Sequence, residues 1–247
     1  MDVVTTLWAL AVGLPVGFTA GTLVSLVARA LPERGRLFGR PVCAEQGCDL
    51  DWTASSASLR MLGVARSCPT CGAGPARSDV ALELTTAALV GALAVRWSLG
   101  PMLIAHLLFA ALLMTILVID LRHRQVYLVL GYGGVVLALM LSPVSLSGGP
   151  VSAVVGGLIG GLAFGGLYAL GRALYRGGEP LGTGDITIAT LLGAMAGFPG
   201  VLTALFVGIL AGGVGAVVVL MAGRSRKAFM PYGPALCLGG FWMLFAA

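Results

Sequence analysis

Charged residues are scarce in this sequence. Asp, Glu, Lys and Arg make up only 10% of its 247 residues, whereas soluble domains contain about 25%. Hydrophobic residues make up 58%, and the mean hydropathy is +0.99. The composition therefore excludes an ordinary soluble domain and indicates an all-α integral membrane protein with several transmembrane helices.

Two further patterns are missing. No basic stretch precedes the first apolar run, and the only early charge is Asp2, so we expect this run to be a first transmembrane helix and not a cleaved signal peptide. No stripe of basic residues alternates with aromatic ones, so the net charge of +5 does not indicate binding to nucleic acid.

Apolar segments long enough to cross a bilayer recur along the chain. A spanning helix needs about 20 mostly apolar residues, and the sequence predicts about eight such helices. The predicted spans are 5–28, 80–96, 101–119, 126–141, 151–170, 186–198, 201–222 and 232–246. We therefore divide the chain into a first transmembrane helix (1–28), a polar cytoplasmic insert (29–79) and a membrane core of about seven helices (80–247).

Basic residues concentrate on one side of the predicted spans. With the N-terminus outside, the segments that face the cytoplasm are 29–79, 120–125, 171–185 and 223–231. These segments hold 14 of the 15 Lys and Arg residues, and only Arg96 lies on the other side. The asymmetry follows the positive-inside rule and supports both the span count and the orientation.

The insert contains four cysteines in two close pairs, Cys43 with Cys48 and Cys68 with Cys71. Four thiolates can complete a tetrahedral Zn²⁺ site, and a metal would supply folding energy that so small an insert lacks. The site would be structural, because four protein ligands leave no position for water. Disulfides or unpaired thiols are the alternatives, and disulfides are disfavoured in a reducing cytoplasm. Cys237, inside the last predicted span, is expected to be a buried core residue.

Two aspartates lie at the ends of predicted spans. Asp120 ends the third span, in LVIDLRHRQ, and Asp185 opens the sixth, in GTGDITIA. A carboxylate within a span costs about 2.5–3.5 kcal/mol on insertion scales, so both are functional candidates. The predicted topology brings both to the cytoplasmic boundary. Two carboxylates in one site can share a proton, so that one acts as base toward water while the other donates a hydrogen bond to a scissile carbonyl.

Simpler explanations exist for each aspartate alone. Asp185 could cap the N-terminus of the sixth helix, and Asp120 could be a flanking charge paired with Arg122 or Arg124. The nearby Gly182 and Gly184 lack a Cβ, so we expect them to allow positive φ and the close approach of a substrate strand. G-x-G-D is a weak motif by itself, and its pairing with Asp120 at one membrane face strengthens it.

Several segments, taken in order, resemble the type IV prepilin peptidases, which are membrane aspartic proteases of the GxGD class. The segments are GFTAGTLVSLVARALPER in the first span, the four-cysteine insert with CDLDW, ALEL with Glu83, the Asp120 segment, GTGD with Asp185, and MPYGPAL near the last span. The resemblance covers nearly the whole chain. It departs at Val126-Tyr127, where the family has Ile-Pro, in the four-residue spacer of the first cysteine pair, and in the stretch 51–66.

The resemblance implies an intramembrane-type aspartic endopeptidase with Asp120 and Asp185 as its catalytic dyad. It would remove the short basic leader of prepilin-like proteins at the cytoplasmic face of the bacterial inner membrane, so its partners would be this substrate and the lipid bilayer. The implied active-site loop residues are Gly182, Gly184, Pro231, Gly233 and Pro234. N-methylation of the new N-terminus with S-adenosylmethionine is a second implied activity, with Glu83 as its candidate residue, and the altered stretch 51–66 weakens that expectation.

Two other classes of protein remain open. A small transporter or channel could use the two aspartates as a proton or cation relay, but such proteins often have inverted repeats and charges near mid-span. Here the aspartates lie at span ends and no repeat is visible. A non-catalytic scaffold could dock partners through the cysteine loop, and it would tolerate loss of Asp but not of Cys.

His106 and the glycine-rich fifth span are expected to serve packing. The sequence carries no signal for the oligomeric state.

Overall fold

The computed structural model describes residues 3–35, 43, 48, 55–64, 68, 70–72, 74–97, 100–174, 182–222 and 232–246, with the side chains of 33 and 34 excepted. Within these ranges the regular structure is helical throughout and contains no β-strand, which confirms the predicted all-α class. The α-helices are α1 (Val3–Arg34), α2 (Ala57–Met61), α3 (Arg77–Arg96), α4 (Pro101–His123), α5 (Leu128–Leu141), α6 (Pro150–Leu174), α7 (Thr183–Met221) and α8 (Gly233–Ala246). A 3₁₀ turn, Ser142–Val144, follows α5.

Five of these helices are long and apolar enough to cross a membrane, namely α1, α3, α4, α6 and α7. The chain is therefore a multi-pass membrane protein. Helices α5 and α8 are also apolar but have 14 residues each, which is about 21 Å at 1.5 Å per residue. That length is shorter than the ~30 Å thickness of a hydrocarbon core.

Helix α7 contains the predicted sixth and seventh spans in one element. Its 39 residues would extend about 58 Å as a straight helix, roughly twice the hydrocarbon thickness. The backbone leaves the helical conformation at Gly197 (φ 64°, ψ −177°) and Phe198 (φ −95°, ψ 134°), directly before Pro199. The positive φ favours glycine. The break coincides with the boundary that the sequence predicts between residues 198 and 201.

The chain divides into two compact units, Met1–Leu99 and Gly100–Ala247. In the first unit, α1 packs against α3 through Gly13, Gly17 and Gly21, which lie one turn apart. A Cβ on Gly17 would come within 2.7 Å of the Cα of Ala87, so a side chain there would push the two helices apart. Small residues allow such close contact between membrane helices.

In the second unit, α6 packs against the first half of α7 through glycines. A Cβ on Gly156 would overlap the carbonyl oxygen of Gly193, and one on Gly160 would overlap that of Ala189. The predicted packing role of this glycine-rich segment is therefore confirmed, and the contact fixes the part of α7 that begins the candidate site.

Helix α8 packs against both α7 and α4. A Cβ on Gly239 would overlap the carbonyl oxygen of Ala204 in α7, and one on Gly240 would lie 2.7 Å from Cδ1 of Leu113 in α4. These contacts hold the first residues of α8 beside the end of α4.

Two residues with predicted packing roles lie in these helices. Cys237 in α8 and His106 in α4 are both fully buried. Nδ1 of His106 lies 2.6 Å from the carbonyl oxygen of Met102, one turn earlier in α4. Both residues therefore serve the core of the second unit, as expected.

Candidate active site

A cavity of about 320 Å³ opens where the end of α4 meets the start of α7. Asp120 and Asp185 both line it, and both side chains are buried, with exposed fractions of 4% and 8%. The other lining residues come from the α4–α5 turn, the start of α7 and the position before α8, and they are Arg124, Gln125, Val126, Tyr127, Gly182, Thr183, Gly184 and Tyr232. The fold thus brings together the two aspartates that the sequence singles out.

Asp120 lies in the last turn of α4. The helix ends at Arg124, which adopts a left-handed conformation (φ 52°, ψ 38°). The backbone N–H of Arg124 donates a hydrogen bond to the carbonyl oxygen of Asp120 at 2.9 Å. A left-handed non-glycine residue is uncommon, and here it turns the chain so that residues 124–127 form one wall of the cavity.

Asp185 is the third residue of α7, and Gly182 is the N-cap of that helix. Oδ2 of Asp185 accepts a hydrogen bond from the N–H of Gly182 at 3.1 Å, and the N–H of Asp185 donates to the Gly182 carbonyl at 3.1 Å. A carboxylate at this position that accepts from the N-cap N–H is half of a capping box. Asp185 therefore caps its helix while lining the cavity, so the capping and functional interpretations are compatible.

The two glycines of the GTGD segment do not adopt an unusual backbone conformation. Gly182 has φ −80° and ψ 148°, and neither it nor Gly184 has positive φ, so that expectation is wrong. Gly184 is instead required for packing, because a Cβ there would lie 2.5 Å from the Cβ of Val126. The N–H of Gly182 is bonded to Asp185, so in this arrangement it serves the helix cap and not a substrate strand.

The start of α8 forms another wall of the site. A Cβ on Gly233 would overlap Oδ2 of Asp120 and lie 3.2 Å from Cδ1 of Ile188, so glycine leaves room for that carboxylate. Pro234 follows in the first turn of α8, where proline is well tolerated. Pro231, the remaining loop residue expected at the site, lies outside the described residues.

Tyr232 is a lining residue that lies in the MPYGPAL segment but that the sequence does not single out. Its ring lies against Gly212, where a Cβ would be 2.6 Å from Cε2, and its centroid is 6.2 Å from that of Phe164. Sequence reasoning also missed Arg124 and Gln125 as cavity residues. Their closeness to Asp120 along the chain was the available signal, but it does not tell which way the chain turns after α4.

This arrangement suits acid–base chemistry by two carboxylates. One carboxyl group can hold a proton while the other is ionised. At about 30 Å³ per water molecule, the cavity has room for several waters beside them. The cavity lining, as far as the structure describes it, includes no serine, cysteine or histidine, so the carboxylates are the side chains best suited to act as a base there.

The four cysteines of the insert form a second cluster. All four Sγ atoms lie within 4.8 Å of one another, with 3.1 Å between Cys48 and Cys68 and 3.5 Å between Cys43 and Cys71. A tetrahedral Zn²⁺ with Zn–S bonds of about 2.3 Å requires Sγ–Sγ separations of about 3.8 Å. The cluster can therefore hold a metal ion after small movements. All four are free thiols and not disulfides.

Hydrogen bonds within the cluster lower the pKa of one of these cysteines. The backbone N–H of Cys71, together with the thiol of Cys48, donates to Cys68 and lowers the pKa of Cys68 to about 6. This lower pKa favours the thiolate form of Cys68. The same side-chain hydrogen bond raises the pKa of Cys48 to about 12. A bound cation would displace the remaining protons, since thiolates are the metal-binding form.

Glu83 is fully buried in α3 and accepts four hydrogen bonds. The N–H groups of Ala57 and Ser58 donate to its two carboxylate oxygens at 2.8 Å each, and the hydroxyl groups of Ser56 and Thr22 donate at 3.0 and 3.2 Å. Three of these donors belong to the start of α2, where backbone N–H groups have no partner within the helix. Glu83 therefore fixes α2 to α3.

Comparison with known proteins relates the second unit to one family. Residues 107–217, which include both aspartates, match the sequence profile of the Type IV leader peptidase family. A prepilin leader peptidase/N-methyltransferase from Xanthomonas campestris pv. campestris is 29% identical over 165 residues, which are 66% of this chain and 57% of that protein. One with the same name from Aeromonas hydrophila is 30% identical over 188 residues, which are 74% of this chain and 63% of that protein. No solved structure gives a significant match.

The resemblance to the type IV prepilin peptidases, which the motifs indicate, is thereby confirmed. The aligned part of the chain spans about three fifths of the length of each of these relatives.

Proposed function

We propose that this chain is an aspartic endopeptidase that removes the short basic leader of prepilin-like proteins, with Asp120 and Asp185 as its catalytic dyad. The observation that carries the proposal is that two buried carboxylates line one cavity, and that both lie in the segment matching the leader peptidase profile. The names of the similar proteins support the class of substrate.

In the proposed reaction, the ionised carboxylate takes a proton from a water molecule as that water attacks the scissile carbonyl carbon. The protonated carboxylate donates a hydrogen bond to the carbonyl oxygen and stabilises the negative charge that develops on it. When the C–N bond breaks, the leaving amine takes up a proton from the dyad. Hydrolysis consumes one water molecule, and the dyad is again left with one proton between its two groups.

The cavity position supports a substrate that is itself held in the membrane. Asp120 and Asp185 lie at the ends of two long apolar helices, α4 and α7. A prepilin-like substrate has its leader just before a hydrophobic helix, so the bilayer would hold the cleavage site at the depth of the dyad. Much of the entropy of positioning is then lost before the chemical step. Gly184 and Gly233 would keep the loops close to the carboxylates, and Gly182, Pro231 and Pro234 would complete those loops.

The proposed arrangement in the bacterial inner membrane has about eight spans and a dyad that faces the cytoplasm. Counting the two halves of α7 as separate spans, and α5 and α8 as short ones, accounts for this number. The charge asymmetry supports the orientation. The domains proposed are the first helix (1–28), the insert (29–79) and the protease core (80–247).

In the insert, Cys43, Cys48, Cys68 and Cys71 would hold a structural Zn²⁺. The separations between their Sγ atoms support this assignment. Because all four ligands would come from the protein, the metal would stabilise the insert and take no part in peptide cleavage.

A second proposed activity is N-methylation of the new N-terminus with S-adenosylmethionine, which the names of the two relatives favour. S-adenosylmethionine would supply the methyl group. The four hydrogen bonds that Glu83 accepts support a positioning role in which it orders α2 and does not contact the substrate.

Co-expression with a prepilin-like substrate, in a host without its own leader peptidase, tests the proposal. We expect wild-type protein to remove the leader, as seen in the intact mass of the substrate, and the Asp120→Asn and Asp185→Asn variants to lose this activity while accumulating in the membrane. His123→Gln is a matched control, because His123 is exposed in the same helical turn as Asp120. Full processing by either asparagine variant would disprove the dyad.

The same experiment separates the other classes of function. A scaffold that docks partners through the cysteine loop would retain its role in both asparagine variants. A transporter or channel would leave the leader intact even in the wild type. The described structure offers no support for the transporter alternative, since the aspartates lie at helix ends.

A further inference from the structure

Arg60, in the short helix α2, has a buried side chain whose nitrogen atoms lack hydrogen-bond partners among the described residues. Its side chain is 6% exposed. Its Nε, Nη1 and Nη2 atoms are all buried, and none has a hydrogen-bond partner within the part of the chain that the structure describes. Arginine remains protonated in proteins, so this guanidinium is a buried positive charge with five unused donors.

The buried carboxylates that the structure describes in the same unit are already engaged elsewhere. Asp79 forms an ion pair with Arg29. Glu83 accepts hydrogen bonds from Thr22 and from three groups at the start of α2. These two are the acidic side chains that the structure describes in residues 1–99, so within that part no protein carboxylate neutralises Arg60.

A second buried polar group lies on the same helix. Ser58 is 6% exposed, and its Oγ has no hydrogen-bond partner among the described residues, although its backbone N–H is bonded to Glu83. The scaffold that carries both groups is firmly held, because two N–H groups of α2 donate to Glu83 at 2.8 Å. Helix α2 therefore holds buried, unpaired polar groups in a fixed position.

A buried charge without a counter-charge is strongly unfavourable, and proteins normally pair such a charge with an ion of opposite sign. The planar fork of a guanidinium matches the two oxygens of a carboxylate or a phosphate. We propose that Arg60 anchors an oxyanion-binding site in the insert, whose ligand carries a carboxylate or phosphate group. Arg60 is not among the residues that line the cavity with the two aspartates, and binding at this site does not depend on cleavage.

Two sources can supply such a group. One is the carboxylate of the methyl donor, and this source rests on the proposed methylation activity. The other is a phosphate, free in solution or in the headgroup of an anionic lipid. Both require the same contact with Arg60, so separate probes are needed to distinguish them.

Thermal unfolding of the full chain, followed by tryptophan fluorescence, tests the site with three probes. The probes are S-adenosylhomocysteine, sodium phosphate at constant ionic strength, and nanodiscs of phosphatidylglycerol compared with phosphatidylcholine. We expect at least one probe to raise the Tm of the wild type by several degrees. For the two soluble probes the rise should saturate. Arg60→Met should lose this shift, and Arg60→Lys should retain only part of it because lysine lacks the planar fork.

Arg77→Gln is the matched control, because Arg77 is an exposed arginine at the start of α3 in the same unit. It should keep the full shift. A shift with S-adenosylhomocysteine alone would assign the site to the methyl donor, and a shift with phosphate or phosphatidylglycerol alone would assign it to a phosphate group. Failure of the first probe alone would count against the methyl donor as the source but not against the site or the peptidase.

Three results would overturn the proposal. The first is that no probe raises the Tm of the wild type. The second is that a probe raises the Tm of Arg60→Met as much as that of the wild type. The third concerns stability without ligand. Removing an uncompensated buried charge should leave the Tm unchanged or raise it, so a ligand-free Arg60→Met protein clearly less stable than Arg77→Gln would mean that a protein group pairs with Arg60.

Discussion

Gly233 lies directly against the carboxylate of Asp120, so close that a Cβ at position 233 would overlap Oδ2. We expect Gly233→Ala to displace this carboxylate and to lower leader cleavage on the order of 10²-fold, since small displacements of reacting groups have effects of that size. Cleavage rates in membranes with matched protein levels provide the measurement. Gly213→Ala is the control, because a Cβ on Gly213 meets open space. Equal rates for the two variants would contradict the prediction.

The GTGD glycines should differ in their tolerance of alanine. Gly184→Ala would bring its Cβ to 2.5 Å from Cβ of Val126, whereas at Gly182 the nearest atom, Oδ2 of Asp185, would be 3.5 Å away. We therefore expect Gly184→Ala to impair cleavage strongly and Gly182→Ala to retain most of it. The double variant Gly184→Ala with Val126→Gly should recover activity, because it removes the clash. No recovery in this double-mutant cycle would rule out the Val126 contact as the cause.

Asp185 should show separate structural and catalytic effects. Asparagine retains an oxygen that can accept from the N–H of Gly182, so Asp185→Asn should unfold near the wild-type temperature yet lose cleavage by about 10²-fold or more. Asp185→Ala should lose cleavage and also about 1 kcal/mol of stability, the usual effect of removing a helix cap. Thermal unfolding and cleavage assays on the same preparations distinguish these effects. If the two variants unfold at the same temperature, the hydrogen bond to Gly182 contributes nothing to stability.

The cysteine cluster should contain one zinc ion per chain. Metal analysis of the purified protein should give about one zinc for a four-thiolate site, and Cys68→Ser should abolish it. Cys237→Ala should retain the zinc, because Cys237 is a buried residue of α8 and does not belong to the cluster. Chelation should lower the melting temperature of the insert. Zinc content unaffected by Cys68→Ser would exclude this ligand set.

Glu83 should matter mainly for the stability of the insert. Glu83→Gln replaces one acceptor oxygen with an NH₂ group that faces donors, and we expect a loss on the order of 3 kcal/mol from hydrogen bonds to a charged group. Thr22→Val is the milder control, since of the four bonds to Glu83 it removes only the one at 3.2 Å. Thermal unfolding measures both effects. A Glu83→Gln protein of normal stability that fails to methylate its substrate would instead give Glu83 a direct part in that reaction.

The sequence predicts the helices and the two aspartates well because both follow from strong local signals. Long apolar runs locate the membrane helices, and a carboxylate at the end of such a run stands out by its energetic cost. The break in α7 is also predictable, because Gly197, Pro199 and Gly200 interrupt the helical pattern of an apolar run.

What the sequence does not predict depends on contacts between distant residues. The role of Gly184 lies in its closeness to Val126, and that of Gly233 in its closeness to Asp120. Nothing in the local pattern distinguishes these roles from a need for positive φ. Arg124 is missed for the same kind of reason, because the turn of the chain after α4 decides which of its side chains line the cavity. Tyr232 is missed because the packing of α8 against α4 and α7 brings the residue before α8 to the cavity.

The break at Gly197 also affects how mutations far from the cavity can act on it. The half of α7 before the break contains Asp185 and contacts α6 through Gly193. The half after the break contacts α8 through Gly208, and it contacts Tyr232, the residue before α8, through Gly212. A substitution in the first half can move Asp185 along its own helix. One in the second half reaches the cavity through α8, by moving Tyr232 and Gly233. Substitutions in the two halves of α7 can thus change two walls of the cavity separately, the one at Asp185 and the one at Tyr232 and Gly233.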